Sequence, residues 1–363
     1  MDHHEHFESA LGSLLSNQRT ESSFEEIPII DITDATSTDP VARRALANEI
    51  RDACINVGFF YINNHGIAED TITAAIDAGK KFFALPTSSK MDLDIHRSSN
   101  YKGYTTLLGE NTDPKGHGDL HEGFDLGWED ENLEETKNKN AMSGGNVWPE
   151  AVPDFKEPVL NYYHEAVRLG QKLFPLFALA LDLPENFFED KVNLISEIAL
   201  TKLHMLWQTT KPAAIMRLLH YPSQKPSSVD EHEKVLGIGA HTDYECFTIL
   251  WQDKVPALQV KNTAGKWIDA VPIPGTLVLN LGDQFARWTN DGFKSTLHRA
   301  INRSGEERYS MPLFFGTDYD VLLEPIPSCI SPEYPSKYEV VTAGEYVKSR
   351  LDATYAHSAV KMM

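Results

Sequence analysis

The sequence has few cysteines, a deficit of basic residues and no long apolar run. Its three cysteines, Cys54, Cys246 and Cys329, are widely spaced and form no Cys-x-x-Cys pair. A disulfide framework is therefore not expected, which is typical of a reducing compartment. The longest apolar run, 173–181, is about half as long as a membrane span, which needs about 20 residues. The N-terminus also lacks the basic-then-apolar order of a secretory signal. We predict a cytoplasmic protein that does not enter a membrane.

The charge balance argues for a small-molecule partner. Acidic residues outnumber basic ones by 53 to 33, which gives a formal net charge of −20. Such a chain repels phosphate backbones, and we find no basic patch that would offset the repulsion. A nucleic-acid partner is therefore not expected. Hydrophobic residues make up 41% of the chain, which is enough for a full-sized core. The pattern leaves the oligomeric state open and is compatible with a monomer.

The chain divides into four stretches that we expect to form one unit. Residues 1–26 show no sustained periodicity and are predicted to be a flexible tail. The stretch 27–200 combines helices with short strands. Within it, the polar segment 98–145 is rich in Gly, Asn and Asp, and we interpret it as a lid loop that packs on the core. The stretch 201–320 is β-rich, and 321–363 is predicted to be a C-terminal helical segment.

Local patterns place the helices and strands. Asp39-Pro40 begins a helix, because an acidic cap followed by Pro at the first helical position favours helix initiation. Further helices are predicted over 69–84, 153–183 and 343–355. Eight β-rich runs fill the C-terminal half: 214–221, 236–243, 246–251, 257–261, 266–270, 276–281, 294–302 and 307–316. Strands at this spacing predict an α+β fold with a jelly roll, or double-stranded β-helix, core flanked by helices.

One strand pattern indicates a metal site. His241 and Asp243 are two residues apart in a β-type run, so their side chains should project from the same face. With His298 from a later β-type run they would form a 2-His-1-carboxylate triad, which is typical of non-haem Fe(II) sites. The His-x-Asp pattern alone is weak evidence. It also occurs at His117 and Asp119, in a glycine-rich stretch that we interpret as a solvated loop.

A second group of residues predicts a carboxylate site in the same core. Strand parity places Arg308 and Ser310 on one face, and a buried guanidinium beside a hydroxyl is costly unless an anion meets them. The fork geometry of Arg suits a carboxylate. Tyr221 lies on an inward face of another run, where its phenol could join this carboxylate site. Arg217 shares the face of Tyr221.

These motifs together resemble the isopenicillin N synthase-like family of Fe(II)/2-oxoglutarate-dependent dioxygenases. The resemblance extends over nearly the whole chain and includes the N-terminal region and the linker. Its closest branch is the fungal small-molecule branch, whose thymine hydroxylases share a similar run at 217–222. The motifs are Ile-Pro-Ile-Ile-Asp at 27–31, Gly-Phe-Phe-Tyr at 58–61, Gly-Tyr at 103–104, His-Glu-Gly-Phe-Asp-Leu-Gly at 121–127, Leu-Asn-Leu-Gly-Asp at 279–283 and the run 288–299.

The resemblance implies a site and a reaction. Its iron ligands would be His241, Asp243 and His298, and the partners of the 2-oxoglutarate carboxylate would be Arg308, Ser310 and Tyr221. The enzyme would consume 2-oxoglutarate and O₂, release succinate and CO₂, and hydroxylate a small organic molecule, with specialised metabolism the expected setting. Leu219 departs from the pattern, since many relatives carry Asn there and any contact of that Asn with the cosubstrate is lost.

Five residues are candidate substrate contacts. Arg217 could hold a substrate carbonyl, a substrate carboxylate or the cosubstrate, or else form a structural ion pair. Phe314 shares the face of Arg308 and could stack on a planar substrate or fill the core. Phe247 has the same phase as the metal ligands and is predicted to form part of the pocket wall. Tyr104 and Phe124 could face the site from the lid or be exposed loop aromatics.

Other functions remain open at this stage. The same iron site could catalyse desaturation, ring closure or epoxidation, and isopenicillin N synthase itself dispenses with 2-oxoglutarate. A catalytically silent binding protein is a second alternative, although silent relatives usually lose a metal ligand. A nucleic-acid or protein demethylase is disfavoured by the charge.

Overall fold

The structure is a computed structural model that describes residues 23–98, 100–112, 118–129, 144–192, 213–223 and 236–361, with side chains as far as 354. Most of the predicted tail, including the whole of 1–22, lies outside these residues. None of the helices in the described ranges is both long and apolar enough to cross a bilayer.

The helices agree with the sequence prediction. The described residues contain α1 (Pro40–Asn56), α2 (Glu69–Phe83), α3 (Thr87–Met91), α4 (Lys156–Ala180), α5 (Asp283–Trp288) and α6 (Ala343–Lys361), besides three short 3₁₀ helices. Asp39 caps α1, and its carboxylate accepts a hydrogen bond from the backbone N–H of Val41. This confirms the predicted helix start. Helices α3 and α5 have only five and six residues, and neither was predicted.

The described part of the chain contains twelve strands in two sheets. The strands are β1 (Ile29–Asp31), β2 (Phe59–Asn63), β3 (Gly103–Thr105), β4 (Glu122–Gly127), β5 (Ala214–Tyr221), β6 (Ile238–His241), β7 (Phe247–Gln252), β8 (Leu258–Lys261), β9 (Trp267–Asp269), β10 (Leu277–Leu281), β11 (His298–Ala300) and β12 (Arg308–Phe315). The larger sheet has the order β1-β2-β10-β7-β12-β5-β4-β3, and the smaller one β6-β11-β8-β9. The eight strands β5 to β12 correspond to the eight predicted runs, and they form the jelly-roll core.

Helices cover the outer face of the larger sheet. Helices α1 and α2 both pack against α4, and α4 contacts the larger sheet through β12. Buried aromatic rings fill the space between α4 and that sheet, among them Phe174, Phe247 and Phe315. The other face of the sheet is turned towards the smaller sheet, and the cavity described below lies between the two.

The segment 98–145 differs from the prediction. Its described residues include β3 and β4, which pair with each other, and β4 pairs with β5 inside the larger sheet. The segment therefore supplies part of the wall of the core, and its interpretation as a lid loop is wrong for these residues. The two glycines of β4 allow close packing, since a Cβ on Gly127 would lie 2.9 Å from a methyl of Ile215.

Candidate metal and cosubstrate site

Two strands of the smaller sheet bring the predicted metal ligands together. His298 of β11 is the register partner of His241 at the end of β6, and Asp243 follows two residues later. Asp243 Oδ1 lies 3.6 Å from His241 Nε2 and 3.5 Å from His298 Nε2. One ligand atom from each of the three side chains falls within 4.8 Å of the others. This is the arrangement that three ligands of one ion require.

Hydrogen bonds orient each of these ligands. The Nδ1 of His241 lies 2.8 Å from the carbonyl of Gly239, and that of His298 lies 3.1 Å from the carbonyl of Thr296. Nδ1 must carry the proton to donate to a carbonyl, which leaves each Nε2 as a free lone pair facing the other ligands. The imidazoles are therefore set in the tautomer that binds a metal.

The carboxylate of Asp243 is held in the same way. Its Oδ2 accepts hydrogen bonds from Asn280 Nδ2 at 2.7 Å and from the hydroxyl of Thr248. Burial alone would raise the pKa of Asp243, but the imidazoles of His298 and His241 outweigh it and hold the pKa well below its ordinary value. The carboxylate stays ionised, with Oδ1 turned towards the two imidazoles. A divalent cation such as Fe(II) fits this donor set.

A buried guanidinium lies on the larger sheet. Arg308 is only 1% exposed. Its Nη1 is 3.4 Å from the hydroxyl of Ser310, and its Nη2 is 3.3 Å from Oε1 of Gln252. Its Nε has no hydrogen-bond partner within the described part of the chain. A buried cation with weak neutral partners and an unsatisfied N–H is costly, which fits the carboxylate of a 2-oxo acid as the missing partner.

The aromatic ring of Tyr221 packs against the guanidinium of Arg308. Tyr221 is the register partner of Arg308, and the guanidinium carbon lies 4.6 Å from the centre of its ring. This cation–π contact was not predicted, since we expected the phenol to contact the carboxylate. Gln252 is a further contact that the sequence analysis missed. Gln252 lies opposite Ser310 in the register of β7 and β12. Its place beside Arg308 therefore depends on the pairing of two strands, which a single run of sequence does not reveal.

One cavity connects the metal ligands with Arg308. Its walls include all four residues that alternation within β12 places on one face, namely Arg308, Ser310, Pro312 and Phe314. The interpretation of Phe314 as an inward-facing residue is therefore confirmed. Helix α6 closes one side of the cavity with Val347, Leu351 and Thr354.

Hydrogen bonds connect helix α6 to two other residues that line the cavity, Tyr244 and Tyr101. The hydroxyl of Thr354 is 2.9 Å from that of Tyr244, which adjoins a metal ligand in sequence, and the hydroxyl of Tyr101 donates to Asp352 at 2.8 Å. The guanidinium of Arg350 also lies 4.9 Å from the ring centre of Tyr244. The C-terminal helix is thus part of the site.

Arg217 is a cavity residue with partners of its own. It forms ion pairs with Glu110 and with Asp125, whose Oδ1 lies 2.6 Å from Arg217 Nε. Of the roles left open for Arg217, the structure favours the structural ion pair. Glu110 and Asp125 were not predicted as cavity residues, although Asp125 belongs to the motif at 121–127.

Three of the predicted substrate contacts are wrong. Phe247 is fully buried among the aromatic rings beneath α4, because the turn at 242–246 resets the strand alternation and presents Thr248 and Leu250 to the cavity instead. Tyr104 and Phe124 are register partners in β3 and β4, and both pack on Phe82 of α2. Their side chains therefore point to the helix-covered face of the sheet and not into the cavity.

The other His-x-Asp pattern also differs from expectation. His117 lies outside the described residues. Asp119 is 3% exposed, and its Oδ1 accepts a hydrogen bond from the backbone N–H of Gly239 at 2.9 Å. Asp119 therefore fixes the strand that carries His241, and its interpretation as part of a solvated loop is wrong.

Comparisons with known proteins agree with this site. Residues 212–317 match the 2OG-Fe(II) oxygenase superfamily, and residues 27–151 match the family described as non-haem dioxygenase in morphine synthesis N-terminal. The chain is 36% identical over 337 residues to the 2-oxoglutarate-Fe(II) type oxidoreductase hxnY of Emericella nidulans, with 91% of each chain covered. It is 32% identical over 349 residues to a homoarginine-6-hydroxylase of Arabidopsis thaliana, covering 92% of this chain and 99% of that one.

A solved structure shows the same architecture. A full-length Neurospora crassa protein in complex with alpha-KG superposes with a TM-score of 0.76 at 29% identity, covering 90% of this chain and 96% of that one. The jelly roll and its metal ligands define a non-haem iron oxygenase. The chain belongs to the 2-oxoglutarate-Fe(II) oxygenase superfamily and fits its isopenicillin N synthase-like branch. It is an oxidoreductase that uses Fe(II) and 2-oxoglutarate and acts on a small molecule.

Proposed function

We propose that the chain hydroxylates a small organic molecule, with His241, Asp243 and His298 as the iron ligands and Arg308 as the anchor of 2-oxoglutarate. The single observation that carries this assignment is the convergence of three ligand atoms within 4.8 Å, in a cavity that also contains a buried, under-partnered guanidinium. When bound, Fe(II) supplies the oxidation chemistry with 2-oxoglutarate and O₂, and the products are succinate, CO₂ and the hydroxylated substrate.

The protein's own residues bind and orient. Arg308 and Ser310 would hold the distal carboxylate of 2-oxoglutarate in the cavity, and the ring of Tyr221 packs on the guanidinium that does so. The carbonyls of Gly239 and Thr296 keep the Nδ1 protons on the imidazoles, so that each Nε2 remains a ligand. Helix α6 covers one side of the cavity, which limits the access of bulk water to the reacting groups.

The nature of the substrate follows from relatives only in outline. The Neurospora crassa protein has also been solved in complex with thymine, and another relative is named for homoarginine hydroxylation. Both compounds are small polar molecules, and we propose a substrate of comparable size. A cytoplasmic location is proposed as well, and its support is that Cys54, Cys246 and Cys329 are all buried free thiols.

The metal and cosubstrate assignment can be tested on purified protein without a known substrate. Anaerobic addition of Fe(II) and 2-oxoglutarate should produce a weak metal-to-ligand charge-transfer band in the visible spectrum. Asp243→Ala should abolish this band and all succinate formation, because it removes the anionic ligand. A band of full intensity in that variant would place the iron elsewhere.

The cosubstrate anchor has its own test. Arg308→Ala should raise the 2-oxoglutarate concentration needed for half of the band about 10-fold to 100-fold, because a buried charged hydrogen bond is lost. Arg97→Ala, at an exposed arginine, is the matched control and should leave this concentration unchanged. An unchanged requirement in Arg308→Ala would contradict the assigned role. A protein that oxidises substrate without forming succinate would support the oxidase alternative.

A further inference from the structure

A charged cluster lies at the opposite end of the cavity from Arg308. Arg217 and Tyr221 are on the same face of β5, four residues apart, which is about 13 Å along a strand. Asp125 of β4 is the register partner of Arg217. Glu110 completes the cluster and is 2% exposed. The cavity therefore has one charged group for the cosubstrate and a separate charged cluster at its other end.

The guanidinium in this cluster already has anionic partners. Arg217 Nη1 donates to Glu110 Oε2 at 3.0 Å, Nη2 donates to Glu110 Oε1, and Nε donates to Asp125 Oδ1 at 2.6 Å. Two carboxylates thus share one guanidinium, and the bidentate pair with Glu110 uses its planar fork. A substrate carboxylate would be a third anion at this cation. The geometry disfavours the earlier alternative that Arg217 binds a substrate carboxylate.

The surrounding titratable groups keep this end of the cavity rich in acceptors. Burial would raise the pKa of Glu110, but Arg217 and His121 outweigh it and hold the pKa well below its ordinary value. Burial, with the nearby charge of Glu110, raises the pKa of Asp125 to about 6 against the opposing effect of Arg217. His121 Nε2 lies 3.3 Å from Glu110 Oε2, behind the cluster.

Asp125 has an oxygen left over. The residue is 5% exposed and lines the cavity, and its one side-chain hydrogen bond within the described residues goes from Arg217 to Oδ1. Its Oδ2 is therefore an acceptor that no described group satisfies, in a side chain that is almost wholly buried. This oxygen is not one of the fully enclosed unpaired atoms, so it is open to the cavity that Asp125 lines. A ligand in the cavity can therefore reach it.

We propose that Asp125 accepts a hydrogen bond from an N–H group of the substrate, so that the enzyme selects small molecules with a cationic nitrogen or a heterocyclic N–H over molecules with a carboxylate. Arg217 and Glu110 are positioning residues, since Arg217 donates to Oδ1 and leaves Oδ2 for the ligand, while Glu110 holds the guanidinium of Arg217 in place. The proposal rests on the proposed function, because the substrate is taken to occupy the same cavity as the cosubstrate.

Binding of matched ligand pairs tests this selectivity. The first pair is thymine and 1,3-dimethylthymine, which differ in their N–H groups, and the second is butylguanidine and pentanoate, which differ in charge. Affinities are measured by calorimetry on the full chain, with and without Mn(II) and 2-oxoglutarate. We expect at least one N–H ligand to bind 10-fold or more tightly than its partner. No preference in either pair, or tighter binding of pentanoate, would overturn the proposal.

Variants connect the preference to Asp125. Asp125→Asn should lower the affinity for the preferred ligand. We expect a loss of about 10-fold to 100-fold if that ligand is the cation, and a smaller loss if it is the neutral heterocycle. The affinity for 2-oxoglutarate should stay within about twofold, and so should every affinity in the exposed control Asp269→Asn. An unchanged ligand preference in Asp125→Asn overturns the inference. If the unmodified protein does not bind 2-oxoglutarate, the proposed function is overturned instead. The ligand pairs are also measured in the absence of 2-oxoglutarate, so the two failures can be distinguished.

Discussion

At the scale of single residues, the two oxygens of Asp243 have different partners. Oδ1 faces the imidazoles of His241 and His298, while Oδ2 is held by Asn280 and Thr248. This division leaves one oxygen for the metal and fixes the plane of the carboxylate. Groups that orient a metal ligand in this way usually contribute substantially to metal affinity.

Removing these supports should weaken metal binding. We expect the double variant Asn280→Ala, Thr248→Val to bind Mn(II) about 10-fold to 100-fold more weakly, because Asp243 loses both hydrogen bonds that orient it. Titration of the metal-free protein by calorimetry measures the effect. Thr33→Val, at an exposed threonine that also bonds an aspartate, is the control. Equal Mn(II) affinities in the double variant and the unmodified protein would show that this support has no effect on the metal site.

Alternation within one strand is enough to predict several of the cavity residues, whereas the pairing of His241 with His298 on another strand was predicted from the triad pattern. Alternation within β12 brings Arg308, Ser310 and Phe314 to the cavity. Alternation fails for Phe247, because a turn separates it from the metal ligands. Asn280 and Gln252 act across strands, and their roles depend on register that a single run of sequence does not contain.

At the scale of elements, β4 and α6 both contribute to the cavity in ways that were not predicted. Strand β4 carries two glycines and two acidic residues among its six positions, so its composition is typical of a loop. Its glycines are needed because β5 packs closely: a Cβ on Gly123 would lie 3.1 Å from Nη2 of Arg217. Its acidic residues form buried ion pairs with Lys90 and Arg217. Tertiary contacts override the local signal.

Helix α6 was predicted as an element, but its contact with the site was not. Deleting residues 350–363 removes Leu351 from the cavity wall together with the hydrogen bonds to Tyr101 and Tyr244. We expect faster amide hydrogen exchange in 242–246, because this turn loses its cover. Mass spectrometry of exchanged peptides measures the change.

A milder variant separates the packing of α6 over the turn at 242–246 from the two hydrogen bonds that the helix makes. Tyr101→Phe with Thr354→Val keeps α6 but removes the two hydrogen bonds, so its exchange in 242–246 should lie between that of the unmodified and truncated proteins. Unchanged exchange in the truncated protein would mean that α6 does not shield the turn.

At the scale of the whole molecule, the two matched family segments share one sheet. Strands β1 to β4 come from the N-terminal stretch, and they flank β10, β7, β12 and β5 from the C-terminal one. Strand β2 pairs directly with β10 across this division. The predicted boundary near residue 200 therefore separates stretches of sequence that share a hydrophobic core.

This shared sheet should make unfolding cooperative. We expect a single calorimetric transition whose calorimetric and van't Hoff enthalpies agree, because neither stretch has a complete sheet alone. A fragment of residues 201–363 should lack the native near-ultraviolet circular dichroism. Two separate transitions, or a natively folded fragment, would show that the stretches are independent.

Strand β5 carries a consequence for substrate choice. The strand places Tyr221 beside the cosubstrate anchor and Arg217 in the cluster at the other end. It therefore fixes the distance between the cosubstrate and the N–H group of the substrate. In a homologous series that keeps the same N–H group, lengthening the carbon chain at its other end should leave the same carbon nearest the metal ligands. The position of hydroxylation should therefore be counted from the nitrogen end of the substrate, whichever member of the series is bound.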